Sequence, residues 1–250
     1  MTPKQTAIKA SIEATKILKK HFGKTLEENF KAKKEIVTVA DLESEKKIIS
    51  IIKKQFPTHS IYSEEKGLED NKSDYQWIID PLDGTGNFAR GLPLYGIILC
   101  LLYKKEPILG VINIPKLNIL AHAEKNKGAF VNNKKIKVSK RNFNKTFFYL
   151  PTPWKKRETV VKLINNICPK VQMTRSIDCS AFALLQTATG QAEGFAIYES
   201  ILHDVAAGIL LIKEAGGKVT NWEGKPWTIN SKNILVTNGV IHNKIIKLLK

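Results

Sequence analysis

The chain has 250 residues, of which 43% are apolar and 25% charged, and its formal net charge is +17. These proportions are typical of a soluble globular protein and exclude an intrinsically disordered chain. The excess of 40 basic over 23 acidic residues attracts anions, so a phosphorylated metabolite and a nucleic acid are both candidate partners. The lysines are scattered along the sequence, and a solvated surface is the competing interpretation.

The cysteines and the apolar segments restrict the cellular setting. Cys100, Cys168 and Cys179 are widely spaced and odd in number, so they form neither a disulfide framework nor a zinc pair. This usage is typical of a reducing cytoplasm. The N-terminus lacks the apolar core of a signal peptide, and the run 94–103 is shorter than the ~20 residues that cross a bilayer. We therefore expect a cytoplasmic protein without membrane contact.

The first half of the chain combines two helical patterns with a run of strands. Apolar residues at helical spacing, among them Ile8 and Ile12, predict a first helix. Asp41 is placed to cap a second helix, in which Leu42 belongs to the apolar face. From residue 59 the period changes to that of strands, and their close succession favours a meandering antiparallel sheet. The predicted strands lie in HSIYSEE, in YQWIIDPLDG and at residues 96–103, 108–114 and 119–123.

Pro151 and Pro153 mark a boundary beyond which helices and strands alternate. The double glycine at residues 216–217 supplies the expected end of one helix. We predict an α+β half at residues 1–145 and an α/β half at 146–250, packed as layers into one compact unit. The predicted elements of the second half are helices at 156–167, 180–189 and 204–215, a final amphipathic helix, and strands at 171–173, 194–198 and 233–237.

The segment with most chemical content is WIIDPLDGTGNF, residues 77–88. Asp80 and Asp83 lie three residues apart across a proline that stiffens the turn. Oxygen ligands with no neighbouring histidine or cysteine favour Mg²⁺ over Zn²⁺. Gly84 lets the backbone approach a ligand, and the free amides of Gly84 and Thr85 would face a bound anion. The same spacing also fits an ordinary turn capped by two aspartates.

Two further acidic positions are candidates for the same site. Glu64 and Glu65 follow a predicted strand, and Asp204 precedes a predicted helix. Taken alone, the glutamates are equally consistent with an exposed loop, and Asp204 with a helix N-cap. An N-cap carboxylate keeps one oxygen for another ligand, so these two roles of Asp204 are compatible.

Together these segments resemble the inositol monophosphatase family of Mg²⁺-dependent, lithium-sensitive-type phosphatases. WIIDPLDGTGNF, the upstream SEE and the downstream DVAAG…EAGG occur in the family's order. VTVAD, GVINIP, AEKNKGAFVNN and ALLQTATGQAE extend the resemblance over nearly the whole chain. The resemblance implies an αβαβα sandwich of the inositol monophosphatase and fructose-1,6-bisphosphatase type, usually a homodimer, with two or three Mg²⁺ ions per site.

The resemblance also implies roles for individual residues at matching motif positions. Thr85, assisted by Asp41, would orient the attacking water, and Glu64 would share in catalysis. The amides of Gly84 and Thr85 would hold the phosphate, and Glu65 would support the metal sphere. The implied metal ligands are the side chains of Glu64, Asp80, Asp83 and Asp204 and the backbone carbonyl of Leu82.

The sequence departs from the family pattern near the substrate. His203 replaces the tryptophan that is common before the last metal aspartate, either as a substrate contact or as a packing replacement. The loop 199–204 is shorter than usual, which puts in doubt a contact of Glu199 with substrate hydroxyls. Ala40 replaces the usual threonine before Asp41, and we predict looser hydrogen bonding around the water-orienting pair.

A second departure precedes the helix predicted at 180–189. Asp178 and Cys179 take the places of small residues, and this DC segment is similar to that of some histidinol-phosphate phosphatases. Asp178 either contacts a polyol or ammonium group or caps the helix. Cys179 is interpreted as a packing residue rather than a nucleophile. The candidate substrate contacts are Asp178, Cys179, Ser180, Glu199 and His203.

The leading prediction is a phosphomonoesterase acting on a small polyol or sugar phosphate, such as myo-inositol 1-phosphate. Metal-activated water would attack phosphorus in line, and the lack of a nucleophilic cysteine or serine motif agrees with this. The alternatives within the superfamily are a histidinol-phosphate phosphatase and a 3′,5′-bisphosphate nucleotidase. An alternative of another class is an RNA-associated regulatory protein, because bacterial relatives that resemble this chain have been linked to RNA processing.

Overall fold

An eight-stranded and a five-stranded sheet are layered between helices in the computed structural model, which describes residues 1–24, 29–30, 36–151 and 157–249. The helices are α1 Pro3–His21, α2 Val39–Gln55, α3 Thr85–Ala89, α4 Arg157–Ile167, α5 Ser180–Ala188, α6 Leu202–Glu214 and α7 His242–Leu248. The strands are β1 Asn29–Phe30, β2 Ile36–Val37, β3 Ser60–Ser63, β4 Gly67–Glu69, β5 Tyr75–Asp83, β6 Gly96–Tyr103, β7 Glu106–Ile114, β8 Ile119–Glu124, β9 Gly128–Val131, β10 Lys134–Lys135, β11 Phe147–Tyr149, β12 Met173–Arg175, β13 Gly194–Tyr198, β14 Lys218–Thr220 and β15 Asn233–Thr237.

The large sheet is mostly the antiparallel meander that the sequence predicts. Its strand order is β10-β9-β8-β7-β6-β5-β3-β4, and β3 alone of the described strands in this sheet runs parallel to its neighbour β5. The pairing of β5 with β6 shifts register between Asp80 and Asp83. Such a bulge redirects side chains away from the regular alternation of a strand. The end of β5 therefore presents its carboxylates to one side of the sheet.

The small sheet completes a five-layer arrangement. Its order is β12-β11-β13-β15-β14, with β11 parallel to both of its neighbours. Helices α5 and α6 pack between the two sheets, α1 and α2 cover the outer face of the large sheet, and α4 and α7 cover the small one. This order confirms the predicted αβαβα sandwich. The division into halves at residues 145 and 146 stays a prediction.

Helix α1 forms where predicted, and Ile8 packs against the core as expected, but Ile12 does not. Ala7, Ala10 and Ala14 are fully buried, whereas Ile12 is 44% exposed. In α2, Leu42 is likewise 51% exposed, although it was assigned to the apolar face. Small side chains let α1 approach α2 and the sheet closely, and close packing stabilises this face as much as larger side chains would. Hydropathy alone therefore assigned these two side chains to the wrong face.

All three aspartates predicted as helix caps lie elsewhere. Asp41 is the third residue of its helix, in a capping box with the residue before α2. Asp204 lies in the first turn of α6, and Asp178 lies one residue before the cap of α5. A carboxylate near a helix N-terminus is stabilised in any of these positions. An aspartate in the sequence therefore does not show which residue is the N-cap. The caps are Thr38, Ile201 and Cys179.

Several smaller boundaries also differ from the predicted ones. The strand predicted at 171–173 is β12, which begins at Met173. Pro153 and Lys156, used for the boundary and for a helix start, lie outside the described residues. No helix in the described ranges combines the length and apolar character needed to cross a membrane.

Candidate active site

A cavity of about 390 Å³ opens where the bulged end of β5 meets the beginnings of α5 and α6. It brings together residues that lie far apart in the sequence. The predicted metal ligands and phosphate-binding residues all line it: Glu64, Asp80, Leu82, Asp83, Gly84, Thr85 and Asp204. So do the candidate substrate contacts Asp178, Cys179, Ser180, Glu199 and His203. Asp41 and Glu65 are not among the lining residues, but Asp41 accepts a hydrogen bond from Thr85, which is.

Asp80 is a deeply buried carboxylate in this cavity. It is only 1% exposed, and one of its oxygens accepts a hydrogen bond from the Leu82 amide at 3.0 Å. Burial raises the pKa of Asp80 well above its ordinary value, and the charges of Glu64, Asp83 and Asp204 raise it further. The folded protein therefore holds a group of mutually repelling acids, which a proton or a cation would stabilise.

Asp83 connects the end of β5 to the start of α5. Its carboxylate accepts hydrogen bonds from the amides of Ser180 at 3.1 Å and Ala181 at 2.7 Å, and from the Cys179 thiol at 2.9 Å. Burial raises the pKa of Asp83 to about 6, although these three hydrogen bonds act in the opposite direction. Cys179 is buried and its thiol is occupied by Asp83, so it positions this acid, in agreement with its interpretation as a packing residue.

The donor set of the cavity fits a hard divalent cation in its chemistry. Carboxylate and carbonyl oxygens are the ligands that Mg²⁺ prefers. No lysine or arginine is among the described residues that line the cavity. As placed, no three acidic, histidine or cysteine side chains of the described chain converge closely enough to hold a metal ion. Since Asp83 faces α5 and Asp80 faces the Leu82 amide, convergence requires rotation of side chains that already line one cavity.

Thr85 and Asp41 form a fixed pair at the edge of the cavity. The Thr85 hydroxyl is 3.0 Å from Asp41 Oδ1 and 2.9 Å from the Leu82 carbonyl. Asp41 is fully buried, and Thr38 donates to its other oxygen from the amide at 2.8 Å and from the hydroxyl at 2.6 Å. The looser bonding predicted from Ala40 is therefore wrong, because Thr38 supplies these bonds from two residues further upstream.

Helix α2 also holds the turn after β3 and the end of β5 in place. It does so through two residues that sequence reasoning missed. Glu45 Oε1 accepts from the amides of Glu65 at 3.0 Å and Lys66 at 3.2 Å, and so fixes the turn after β3. The Ser44 hydroxyl donates to the Pro81 carbonyl at 2.9 Å. Both side chains are buried. The sequence signal that could have identified Glu45 is its position as an acid on the inner face of α2, whose other face carries lysines.

Left-handed backbone conformations cluster at the rim of the cavity. Gly84, Asp178 and Glu199 have φ of +82°, +49° and +52°. A Cβ at Gly84 would lie 3.0 Å from the Leu94 carbonyl oxygen, so only glycine fits there without displacement. Non-glycine residues in this region carry strain that is common at functional sites. Asp178, which departs from the family pattern, and Glu199, in the shortened loop, are therefore both acids at strained rim positions.

His203 and an apolar wall complete the cavity. His203 is buried, and its Nε2 lies 3.2 Å from Asp204 Oδ1. It therefore both packs and faces the cavity, so its two interpretations are compatible. The wall contributed mainly by the small sheet and α4 consists of Tyr149, Leu150, Pro151, Val160, Ile177, Phe195, Ile197, Tyr198 and Ile201.

Comparisons with known proteins agree with this geometry. A fructose-1,6-bisphosphatase/inositol-1-monophosphatase of Aquifex aeolicus is 32% identical over 247 residues, which cover 96% of this chain and 92% of the relative. A Nus factor SuhB of Pasteurella multocida is 31% identical over 251 residues, covering 98% and 94%. The crystal structure of extragenic suppressor protein suhB from Bartonella henselae superposes with a TM-score of 0.95 at 30% identity, covering 99% and 98%. The model of the inositol monophosphatase family matches residues 3–250. The chain therefore belongs to the inositol monophosphatase family and is a phosphatase.

Proposed function

We propose that this phosphatase hydrolyses a small polyol or sugar monophosphate with the aid of two or three Mg²⁺ ions. The observation that carries the proposal is that four acids from distant segments share one cavity with the Gly84–Thr85 backbone. Mg²⁺ held there would offset the charge of a phosphate dianion and lower the pKa of a bound water. The proposed ligands are Glu64, Asp80, Asp83 and Asp204 with the carbonyl of Leu82, and Glu65 supports them.

The Thr85–Asp41 pair is proposed to orient the attacking water, with Glu64 sharing in catalysis. Thr85 has one hydroxyl hydrogen, which Asp41 and the Leu82 carbonyl draw to one side. Its lone pairs therefore point elsewhere and can accept a hydrogen bond from water. The Gly84 and Thr85 amides, at the start of α3, are proposed to hold the phosphate.

The remaining lining suits a substrate with hydroxyl groups on one side and carbon on the other. Asp178, Ser180, Glu199 and His203 supply polar atoms near the rim, and the apolar wall lies beside them. The Aquifex relative is named for both a sugar bisphosphate and an inositol phosphate, which supports polyol and sugar phosphates. Histidinol phosphate is the main alternative substrate, because Asp178 supplies an acid for its ammonium group and the apolar wall lies beside it. The 3′,5′-bisphosphate nucleotides are the second alternative.

A substrate panel tests this proposal. Phosphate release is measured from myo-inositol 1-phosphate, fructose 1,6-bisphosphate, histidinol phosphate and a 3′,5′-bisphosphate nucleotide, with Mg²⁺, with a chelator, and after Mg²⁺ is restored. We expect the highest kcat/KM for a polyol or sugar phosphate and a reversible loss of turnover in the chelator. A highest kcat/KM for histidinol phosphate would select the alternative. Turnover that is unchanged in the chelator would contradict the metal requirement.

We further propose an RNA-associated role, and a homodimer as the family resemblance implies. The Pasteurella relative is named as a Nus factor, and the net charge of +17 favours polyanions. Binding of RNA through phosphates falls steeply with salt, because counterions are released. A gel-shift titration at increasing salt is therefore the appropriate measurement, and binding that ignores salt would remove the RNA role.

A further inference from the structure

A second cavity of about 460 Å³ lies on the surface, between the segment that follows β10 and the residues that follow α5. It is separate from the candidate active site and is lined by cationic and polar residues and one glycine. We call it the basic pocket. Its lining residues are Lys137, Ser139, Lys140, Arg141, Asn142, Lys145, Thr189 and Gly190.

The floor of the basic pocket is held by a buried acid. Glu193 is 0% exposed, and its Oε1 accepts from the Ser139 hydroxyl at 2.9 Å and from Arg141 Nε at 2.7 Å. Its Oε2 accepts from the Phe147 amide at 2.7 Å. Arg141 also donates to the Gly190 carbonyl. These bonds fix Ser139 and Arg141, so little further ordering is needed to present the pocket to a ligand.

Backbone packing reinforces this floor. A Cβ on Gly190 would lie 2.8 Å from the Ser139 amide nitrogen, so the chain at Ser139 rests directly on this glycine. The Asn238 side chain donates to the Ser139 hydroxyl at 3.0 Å and to the Arg141 carbonyl at 2.9 Å. The segment is therefore anchored to both neighbouring elements.

The rim of the basic pocket carries positive charge without a matching acid. Glu193 pairs with Arg141, whereas the ion pairs recorded among the described residues include none to Lys137, Lys140 or Lys145. In the sequence, residues 125–157 contain no aspartate or glutamate. Lys137, Lys140 and Lys145 lie close together in this acid-free segment, and all three line the one cavity.

We propose that the basic pocket binds a phosphate group. The three ammonium groups of Lys137, Lys140 and Lys145 are groups that proteins use to hold phosphate oxygens, with the Asn142 side-chain amide beside them. No aromatic side chain lines the described pocket, so it offers no platform for stacking a base. The shared chemistry is a phosphate anion, and its source is either a small phosphorylated metabolite or the backbone of RNA.

The basic pocket lies at the other end of α5 from the candidate active site. Asp83 binds the amides at the first residues of α5, whereas Thr189 and Gly190 follow its last residue. Nine residues of helix span about 13 Å. The two sites therefore have separate ligands, and the proposed hydrolysis does not need the basic pocket.

A triple substitution of Lys137, Lys140 and Lys145 to glutamine tests the proposal. Arg141 is retained because it compensates the buried Glu193. The matched control substitutes Lys46, Lys47 and Lys54, which are exposed on α2, and it removes the same charge. Binding of pyrophosphate and of a short single-stranded RNA is measured by calorimetry in chelator, where the four acids of the active site repel anions.

We expect the pocket variant to bind at least one of the two probes about tenfold more weakly than wild type, which is about 1.4 kcal/mol. The control variant should change by less than about twofold. A loss for pyrophosphate alone assigns a small metabolite, and a loss for RNA assigns its backbone. Unchanged binding of both probes, or an equal loss in the control, would overturn the proposal. Substrate turnover with Mg²⁺ should be unchanged in the pocket variant, which separates this test from that of the proposed function.

Discussion

Asp80→Asn is expected to reduce turnover severely and, in metal-free buffer, to make the protein more stable. Asparagine keeps the oxygen that accepts from the Leu82 amide but removes a buried charge from a cluster of acids. The loss in kcat/KM should be about a hundredfold to a thousandfold, since a single preorganised electrostatic group contributes ~10²–10³. The free energy of unfolding in metal-free buffer should increase, because burial and the neighbouring acids raise the pKa of Asp80 and so destabilise its charged form in the folded protein.

The pH dependence of this gain follows from the direction of the pKa shift. The pKa of Asp80 is raised in the folded protein, so the folded state binds its proton more tightly than the unfolded chain does. The free energy of unfolding in chelator therefore decreases as pH rises from the ordinary pKa towards the raised one. The asparagine variant lacks this decrease, so its advantage should be larger at pH 8 than at pH 4.

Denaturant unfolding in chelator at these two pH values measures the effect, and kinetics with Mg²⁺ measure the activity. Asp74→Asn is the matched control, because Asp74 is exposed and outside the cavity. A variant of Asp80 that is both fully active and no more stable than wild type would remove Asp80 from the metal site.

Thr85→Val is expected to lower kcat by about 10²–10³, because the water-orienting hydroxyl is lost while the shape of the side chain is kept. The buried Asp41 carboxylate would also lose one of its hydrogen bonds. KM should change little, since the proposed role concerns the attacking water rather than substrate binding. Steady-state kinetics at saturating Mg²⁺ measure both constants.

Thr85→Ser is the control for this substitution. Serine keeps the hydroxyl that reaches Asp41 and the Leu82 carbonyl, so kcat should stay within about tenfold of wild type. Equal losses in the valine and serine variants would indicate a packing role for the Thr85 methyl group. Full activity in the valine variant would exclude the hydroxyl from the reaction.

The sequence predicted which residues share the cavity better than it predicted the contacts that support them. The strand, turn and glycine around Asp80 and Asp83 are local features, so the residues of that segment are enough to predict them. The capping box of Thr38 with Asp41 is a local pattern that the sequence does carry. Glu45 could not be assigned, because its role depends on how α2 packs against β3. The same holds for the basic pocket, where Lys137 and Gly190 meet only after the chain has folded. Ile12 of α1 was misassigned because alanines take the close-packed face.

The most direct test of the metal site is a calorimetric titration of Mg²⁺ into chelator-stripped wild-type protein, Asp80→Asn and Asp74→Asn. We predict saturable binding of two or three ions by the wild type and by the exposed-site control, with at least one ion lost from Asp80→Asn. Absence of saturable binding by the wild type, or the same isotherm for all three proteins, would contradict a divalent cation shared by these carboxylates.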